Sequence, residues 1–476
     1  MGSGASLQSR KLRVQEAVDY IRDDAIFKKF IGRKYDIENL VFEGGGTKGM
    51  AYCGALLALR DMEVLKNVKR FAGASVGSVM AMMCSIGMTP EEIIEHFLFN
   101  SDFMQDAPRI ALLVNIIKNW GWLHGKRGVN VLEAIVEQKT GDRKTTFEQL
   151  YKKFGVELCI VVTNLTHQTP EYFHVKTTPH VSIAYAAIVS CSLPPLIKPS
   201  FFRGSYYMDG GLLHNFPISA FDGWYLSMDP DKDYFTMFDK NIEPFGTVNK
   251  KTFGLLVFDM NQEDPGKGDF FDKWKYEWPK FPDTKHARKR SLQTKSQETE
   301  YAKKVKLAGA IRRVIKNLNT FDKNNDGLID ADELKTVFQN KDLLSDEDFR
   351  LLFNEDRSQC DKMLKALDRN SNNQVSHAEV MSFIRDRGFS VDKLILGSEV
   401  DASNPTSLFE YISAVVDAMQ TRIGSLSRKP DDKDRSACLY TSYIDTGASD
   451  LHTDDMKFCM KLGWMSILHH FENHSS

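Results

Sequence analysis

The chain contains 476 residues, of which 42% are hydrophobic and 26% are charged, so it can form one large domain or two to three ordinary ones with a sizeable core. Its formal net charge of −2 argues against a general nucleic-acid-binding protein, which would carry a basic excess. The seven cysteines include no Cys-x-x-Cys pair, and no apolar stretch reaches transmembrane length, so we expect reduced thiols and a cytoplasmic protein that does not span a bilayer.

The N-terminal segment, residues 1–35, begins with a pattern typical of N-myristoylation. Gly2 becomes the first residue once methionine is removed, and Ser6 lies four positions further on. Three basic residues follow and would supply the electrostatic second signal that one acyl chain needs at a membrane: Arg10, Lys11 and Arg13. Gly2 is therefore a candidate for lipidation, and we expect peripheral membrane association. The alternative is an unmodified, flexible start of the chain.

Residues 39–43 predict a short buried strand that runs into the glycine-rich loop 44–49 and then into an apolar helix. Such a loop can direct several backbone N–H groups at a developing oxyanion. It is not a Walker phosphate loop, because Lys48 precedes the final glycine and no Ser or Thr follows that glycine. Three of its glycines formally satisfy the dinucleotide-binding fingerprint, but no acidic residue ends a second strand about 20 positions later.

A second strand, turn and helix follow over residues 68–86. The turn has the sequence Gly73-x-Ser75-x-Gly77, which fits a nucleophile elbow. In such a turn the serine is held in a strained conformation, and small neighbours let the strand and the helix approach closely. The N-terminus of the helix adds the positive end of its dipole near the serine oxygen. Since the motif lies between a predicted strand and an apolar helix, Ser75 is a candidate nucleophile.

The third motif is Asp209-Gly210-Gly211. The two glycines allow a tight turn that presents the carboxylate outward. A carboxylate can accept a serine proton directly if desolvation raises its pKa, so Asp209 is a candidate base. A histidine base is the alternative, and the histidines considered for it are His214, His286, His452, His469 and His470.

Buried strands alternate with helices along the chain, with further strand candidates at 156–162, 254–258 and 439–444. This alternation predicts a three-layer α/β/α fold with a mostly parallel sheet. After about residue 262 the chain becomes rich in lysine, aromatic and polar residues, and strand character returns only near residue 438. We therefore expect five segments in chain order. They are an N-terminal segment (1–35), a first part of the α/β domain (36–262), a basic and aromatic connecting segment (263–308), an inserted helical module (309–390) and a C-terminal return of the α/β domain (391–476).

Two twelve-residue loops in the inserted module match the EF-hand pattern, in which oxygen ligands at fixed positions bind calcium. The first loop has these expected ligands: Asp322, Asn324, Asp326, the Leu328 carbonyl, Asp330 and Glu333. The second loop has these: Asp368, Asn370, Asn372, the Gln374 carbonyl, Ser376 and Glu379. Ile329 and Val375 are expected to pair the two loops.

The second loop departs from the pattern at Asn373, which replaces the turn glycine; asparagine adopts the left-handed region more readily than most residues. This loop offers two carboxylate ligands against four in the first, so we expect it to bind calcium more weakly. A regulatory calcium pair and a purely structural pair both remain open.

The three motifs resemble those of the patatin-like phospholipases in type, order and spacing. The segment 187–217, with Leu193-Pro194-Pro195 and Asn215-x-Pro217, also resembles the run into the catalytic aspartate of that family, and the resemblance covers roughly residues 39–262 and 398–470. It implies a Ser75–Asp209 dyad, with Lys48 either placed to steer a lipid phosphate or simply solvated. It also implies an oxyanion hole built from the N–H groups of Gly44, Gly45, Gly46 and Val76.

By this resemblance the chain is expected to be a phospholipase A-type serine acyl hydrolase that acts on glycerophospholipids at a membrane surface. Calcium would regulate it and take no part in its chemistry. The alternatives are a neutral-lipid lipase or transacylase, and a calcium-responsive membrane adaptor with a vestigial hydrolase site. The aromatic and lysine-rich stretch 270–278, with Phe201 and Phe202, predicts either membrane contact or packing against the core.

Overall fold

The computed structural model describes residues 7–99, 120, 123, 125–194, 196–260, 270–271, 273–289, 307, 309–311, 313, 328–330, 333, 345–353, 365, 367–387, 415, 419, 423, 429–448 and 450–474. Gly2 lies outside these residues, as do Asp322, Asn324 and Asp326 of the first calcium loop. The chain divides into two compact units, residues 1–287 with 406–476 and residues 288–405.

The strands of the described residues are β1 (Asn39–Phe42), β2 (Arg70–Ala74), β3 (Glu157–Asn164), β4 (Thr169–Phe173), β5 (Ser200–Phe202), β6 (Ser205–Asp209), β7 (Thr252–Phe258), β8 (Leu328–Asp330), β9 (Gln374–Ser376) and β10 (Ser436–Tyr440). The helices are α1 (Leu7–Ile21), α2 (Asp24–Phe27), α3 (Met50–Asp61), α4 (Val76–Ser85), α5 (Pro90–Phe99), α6 (Lys126–Thr140), α7 (Phe147–Phe154), α8 (Ile183–Ser190), α9 (Gly211–His214), α10 (Tyr234–Asp239), α11 (Asp346–Phe353), α12 (His377–Asp386) and α13 (Thr453–Asn473). Among the described residues no helix is long and apolar enough to cross a membrane.

The larger unit is built on an eight-stranded sheet in the order β10-β7-β1-β2-β3-β6-β5, with β4 also paired to β3. The strands from β10 to β3 are parallel, whereas β4, β5 and β6 add antiparallel pairs. β1 and β7 are buried along their whole length and β2 is buried after Arg70, because helices and irregular segments cover both faces. The predicted α/β/α fold with a mostly parallel sheet is confirmed.

The two faces of this sheet carry different layers. On one face α3, α4 and α13 pack against the strands in a single large apolar core. On the other face a smaller apolar cluster forms where the irregular segment 216–226 covers β1, β2 and β3. Because β10, β7, β1, β2 and β3 are parallel, their carboxyl ends lie along the same end of the sheet. The three glycine-rich motifs lie at this end.

Strand β3 has two different partners along one of its edges. β4 pairs with Ile160–Asn164 on one edge of β3, so β2 and β6 must share the other edge. β2 occupies this edge up to Ala74, opposite Val161, and β6 runs in the opposite direction and ends at Asp209, opposite Val162. The residue that follows β2 and the last residue of β6 are thus brought together.

In the smaller unit the two EF-hand-like loops pair through β8 and β9. Ile329 lies opposite Val375 in this short antiparallel ladder, as the sequence predicts. Asn373 adopts the left-handed conformation with φ 61°, which confirms the role expected of the residue in place of the turn glycine.

Candidate active site

Ser75 and Asp209 form a direct hydrogen bond. The Ser75 hydroxyl Oγ donates to Asp209 Oδ2 at 2.8 Å, across 134 positions of sequence. The opposed ends of β2 and β6 on the shared edge of β3 explain this meeting. The two residues that the sequence singles out as nucleophile and base are therefore neighbours with the geometry of a proton-transfer pair.

The turn around Ser75 has the strained geometry of a nucleophile elbow. Ser75 has φ 51° and ψ −131°, in a region that a non-glycine residue rarely adopts. A side chain at Gly73 would place its Cβ 2.2 Å from the Gly77 carbonyl oxygen, so the crossing of strand and helix requires a glycine there.

Ser190 holds the elbow in place. The Ser75 N–H donates to Ser190 Oγ at 2.8 Å, and the Ser190 hydroxyl donates to the Val161 carbonyl at 2.6 Å. Ser190 is fully buried at the end of α8. Its side chain thus links the backbone of Ser75 to the central strand β3, a role that no motif in the sequence indicated.

Asp209 lies in an environment that favours its neutral form. Its exposed fraction is 1%, and this burial raises the pKa of the carboxyl group to about 7. Hydrogen bonds from the Ser75 hydroxyl and from the Gly211 N–H, at 2.7 Å to Oδ1, partly offset the increase. A carboxylate with a pKa near neutrality is suited to accept a proton from serine and to return it.

The glycine loop beside Ser75 is fixed by Asn215. The Gly44 N–H donates to the Asn215 carbonyl at 3.0 Å, and the Asn215 side-chain amide donates to the Gly44 carbonyl, also at 3.0 Å. The Gly44 N–H is therefore already engaged. Within the described part of the chain, the N–H groups of Gly45, Gly46 and Val76 have no acceptor, and a bound oxyanion would supply one.

Lys48 is neither solvated nor placed to reach a lipid phosphate. Its side chain is only 3% exposed, and Nζ lies 3.7 Å from Oδ2 of the buried Asp259, directly after β7. Both expectations for Lys48 are corrected, because a buried carboxylate holds its ammonium group inside the protein. Asp259 is a second residue of this region that sequence reasoning missed.

The histidines considered as alternative bases lie elsewhere. The ring of His214 is bonded through Nδ1 to the Tyr172 hydroxyl at 2.8 Å, and burial lowers the pKa of this histidine to about 4. The other candidates contact Asp455, the start of α13 or the aromatic rings around its end: His286, His452, His469 and His470. Within the described residues, none of the five has a hydrogen bond to Ser75 or Asp209.

The second EF-hand-like loop presents oxygen donors of the kind that calcium prefers. Asp368 accepts the N–H groups of Asn372 and Asn373, while Glu379 accepts those of Arg369, Asn370 and Ser376. The bonds from Ser376 and the other N–H groups lower the pKa of Glu379, so its carboxylate is ionised and points into the loop. The oxygens are of the type that calcium prefers, although Asp368 and Glu379 must exchange these bonds to bind an ion.

The first loop is described only in part. The side chains of Asp330 and Glu333 each accept the other's backbone N–H, at 2.8 and 3.1 Å. Among the described residues no group of three or more His, Cys, Asp or Glu side chains is arranged to hold a metal ion.

Two separate parts of the chain match models of known protein families. Residues 40–222 match the family model for patatin-like phospholipases, and residues 315–338 match a family model for an EF hand. The chain is 34% identical over 190 residues to an uncharacterized protein of Acanthamoeba polyphaga mimivirus and 30% identical over 182 residues to a probable lipid hydrolase of Invertebrate iridescent virus 6. These two alignments cover 39% and 38% of this chain and 62% of each relative. The chain thus spans about three fifths of the length of these relatives.

Two further comparisons are more distant. A triacylglycerol lipase of Arabidopsis thaliana is 29% identical over 164 residues, which are 33% of this chain and 19% of that protein. Among solved structures, VipD from Legionella pneumophila aligns over 92% of this chain and 67% of its own, with 14% identity and a TM-score of 0.45.

Proposed function

We propose that the chain is a serine hydrolase that cleaves fatty acyl esters of glycerophospholipids, on the premise that residues 40–222 match the family model for patatin-like phospholipases. The observation that carries the proposal is the hydrogen bond from Ser75 to the buried Asp209. An intact nucleophile, base and glycine loop together argue against a vestigial site.

The reaction proceeds in two steps through an acyl-enzyme. Ser75 Oγ attacks the ester carbonyl, its proton passes to Asp209, and the N–H groups of Gly45, Gly46 and Val76 stabilise the oxyanion. The intermediate collapses when the C–O bond of the ester breaks and the lysophospholipid leaves with the proton from Asp209. Asp209 then takes a proton from water, the resulting hydroxide attacks the acyl-enzyme, and the fatty acid is released as Ser75 recovers its proton.

The proposal is tested by incubating the protein with mixed vesicles of phosphatidylcholine, phosphatidylglycerol and triacylglycerol and identifying the products by mass spectrometry. We expect fatty acid and lysophospholipid in equal amounts. Diacylglycerol as the main product would favour a neutral-lipid lipase, a second candidate supported by the similarity to a triacylglycerol lipase. Release of neither product, together with no labelling of Ser75 by a fluorophosphonate probe, would contradict both.

We further propose that calcium regulates this activity through the point where the chain leaves the larger unit. Just before residue 288, Thr284 Oγ1 donates to Asp455 Oδ1 at 2.6 Å, and the Tyr443 hydroxyl donates to the same oxygen at 2.6 Å. The loop that begins at Tyr443 reaches Thr446, whose carbonyl accepts the Thr47 N–H beside the oxyanion glycines. A continuous series of contacts therefore connects Thr284 to the oxyanion glycines. We propose that a movement at the start of the inserted module reaches the candidate active site through these contacts.

We expect Glu333→Gln to weaken calcium binding far more than Glu379→Gln, because the first loop offers more carboxylate ligands. Glu333→Gln should also reduce calcium-dependent hydrolysis of vesicles, while Ser75 remains reactive towards the probe. Calcium affinity is measured by titration calorimetry, and hydrolysis in chelator and in saturating calcium. Tyr443→Phe is the matched control, since it should keep calcium affinity but lessen the response of activity. If the unmodified protein hydrolyses vesicles equally fast in chelator and in calcium, the regulatory proposal is rejected, and the EF-hand pair has only a structural role.

A further inference from the structure

The hairpin of β5 and β6 carries apolar side chains into solvent. Phe201 is 62% exposed and Trp120 is 61% exposed, and both rings contact the ring of Tyr206, at 4.9 and 5.5 Å between centroids. Leu165, half-exposed, donates its N–H to the Tyr206 carbonyl. We name these four residues the aromatic rim: Trp120, Leu165, Phe201 and Tyr206. Contiguous exposed aromatic surface of this kind marks a site of interaction.

The aromatic rim lies at the edge of the sheet that holds the candidate active site. β6 runs from the rim to the dyad, because Tyr206 lies three residues before Asp209 on this strand. At about 3.3 Å of rise per residue, the rim stands roughly 10 Å beyond the dyad along the strand direction. The hairpin therefore projects outward from the edge at which Ser75 is reached.

A cationic cleft adjoins the aromatic rim. Its volume is about 450 Å³, and Lys126, Lys198 and Phe201 are among its lining residues, so the cleft and the rim share a side chain. No carboxylate is among the described residues that line it. Ser192 lines the cleft and accepts the Asp209 N–H with its carbonyl at 3.1 Å, so the cleft borders the backbone of the candidate base. The exposed Arg203, at the hairpin turn, adds a further positive charge.

Aromatic rings beside lysine and arginine suit the interface of an anionic bilayer, where rings enter the boundary region and cations meet lipid phosphates. We propose that the aromatic rim and the cationic cleft form the surface by which this chain docks on an anionic phospholipid bilayer. This inference rests on the proposed function for its purpose, since docking here brings lipid esters to the dyad. It names anionic phospholipid as the preferred substrate surface.

Two other aromatic regions fit this role less well. Trp274 stacks on Trp278 at 4.2 Å and packs against His469, so the stretch 270–278 is in part a packing element of the larger unit. Phe235 on α10 is 89% exposed, but its helix follows Asp231 and Asp233 and ends with Asp239. An anionic surface would be repelled there.

The position of α10 also differs from that of the rim. Lys176 donates to the carbonyl of Lys232, just before α10, and lies two residues after His174. His174 contacts Glu157, the first residue of β3. α10 is therefore placed towards the amino ends of the parallel strands, opposite the edge that carries Ser75. Phe235 offers a matched exposed phenylalanine that is not part of the proposed surface.

The test measures co-sedimentation with vesicles of phosphatidylcholine alone and of phosphatidylcholine with phosphatidylglycerol, in the Ser75→Ala background so that lipid is not consumed. Phe201→Ser should weaken binding to both vesicles by about tenfold, because a ring no longer enters the interface. Lys198→Gln should weaken binding only to the phosphatidylglycerol vesicles, by about fivefold, the contribution typical of one basic residue at an anionic surface. Phe235→Ser and Lys240→Gln, the controls on and beside α10, should bind as the parent does.

Equal binding to the two vesicle types, or loss of binding in Phe235→Ser with none in Phe201→Ser, would overturn the docking proposal. Hydrolysis of a soluble ester, measured with Ser75 intact, separates this outcome from failure of the proposed function. Soluble-ester activity without binding at the rim rejects only the docking surface. Binding at the rim without any ester hydrolysis rejects only the hydrolase.

Discussion

Ser75→Ala and Asp209→Asn are each expected to lower hydrolysis of a soluble ester by about ten-thousandfold, since nucleophile and base act as one unit. The hydrogen bond of 2.8 Å between them places the base on the proton that must leave. For the same reason the double variant should be little slower than either single variant, and the three rates of ester hydrolysis test this directly. Hydrolysis that persists in Asp209→Asn but is abolished in His214→Ala would show that the dyad is the wrong mechanism.

Folding must be followed in the same variants. Burial raises the pKa of Asp209, so above about pH 7 the ionised carboxylate costs the folded state free energy that a neutral asparagine does not. Asp209→Asn should therefore unfold at a temperature no lower than the unmodified protein at pH 8. A loss of activity accompanied by a lower unfolding temperature would point to damage of the fold and would count against the assignment of Asp209 as the base.

The parts of the fold that the sequence predicts are those encoded over short distances. The strand and turn around Ser75 need small residues where backbones approach within van der Waals contact, so Gly73 and Gly77 mark the elbow in any sequence that forms it. The pairing of Ile329 with Val375 follows from the fixed positions within an EF-hand loop. Both are local rules with a definite spacing.

The parts that the sequence does not predict depend on contacts between distant segments. β6 pairs antiparallel with the end of β3, and nothing in the sequence around Asp209 distinguishes that strand from the approach to a turn. The burial of Lys48 depends on Asp259, which lies after a strand more than 200 positions later and belongs to no motif. Such partners become visible only when the order of the strands in the sheet is known.

The role of the aromatic side chains, in packing or in membrane contact, was ambiguous in the sequence for a different reason. A ring is equally suited to a protein core and to a membrane interface, so composition alone does not separate packing from docking. The structure separates them by exposure, since Phe270 is buried while Phe201 faces solvent and its neighbour Phe202 is half-buried.

The second large effect is expected from pH. A base must be ionised to accept the Ser75 proton, and the pKa of Asp209 is about 7. Well below that value the ionised fraction falls tenfold for each pH unit, so kcat/KM for a soluble ester should fall about a hundredfold between its level above pH 8 and pH 5. Above pH 8 it should be level, because the carboxylate is then fully ionised.

The pH at which kcat/KM begins to fall on the acid side identifies the group that titrates. The buried His214 has a pKa near 4, so a histidine base there would keep full activity at pH 5 and lose it only in more acidic solution. The measurement is kcat/KM for an uncharged soluble ester from pH 4.5 to pH 9, with the rate of fluorophosphonate labelling of Ser75 followed in parallel. Both kcat/KM and the labelling rate should fall below about pH 7, and His214→Ala should not change the pH at which they fall. A level profile down to pH 5 would contradict a base with a pKa near 7, and loss of that activity in His214→Ala would then identify His214 as the base.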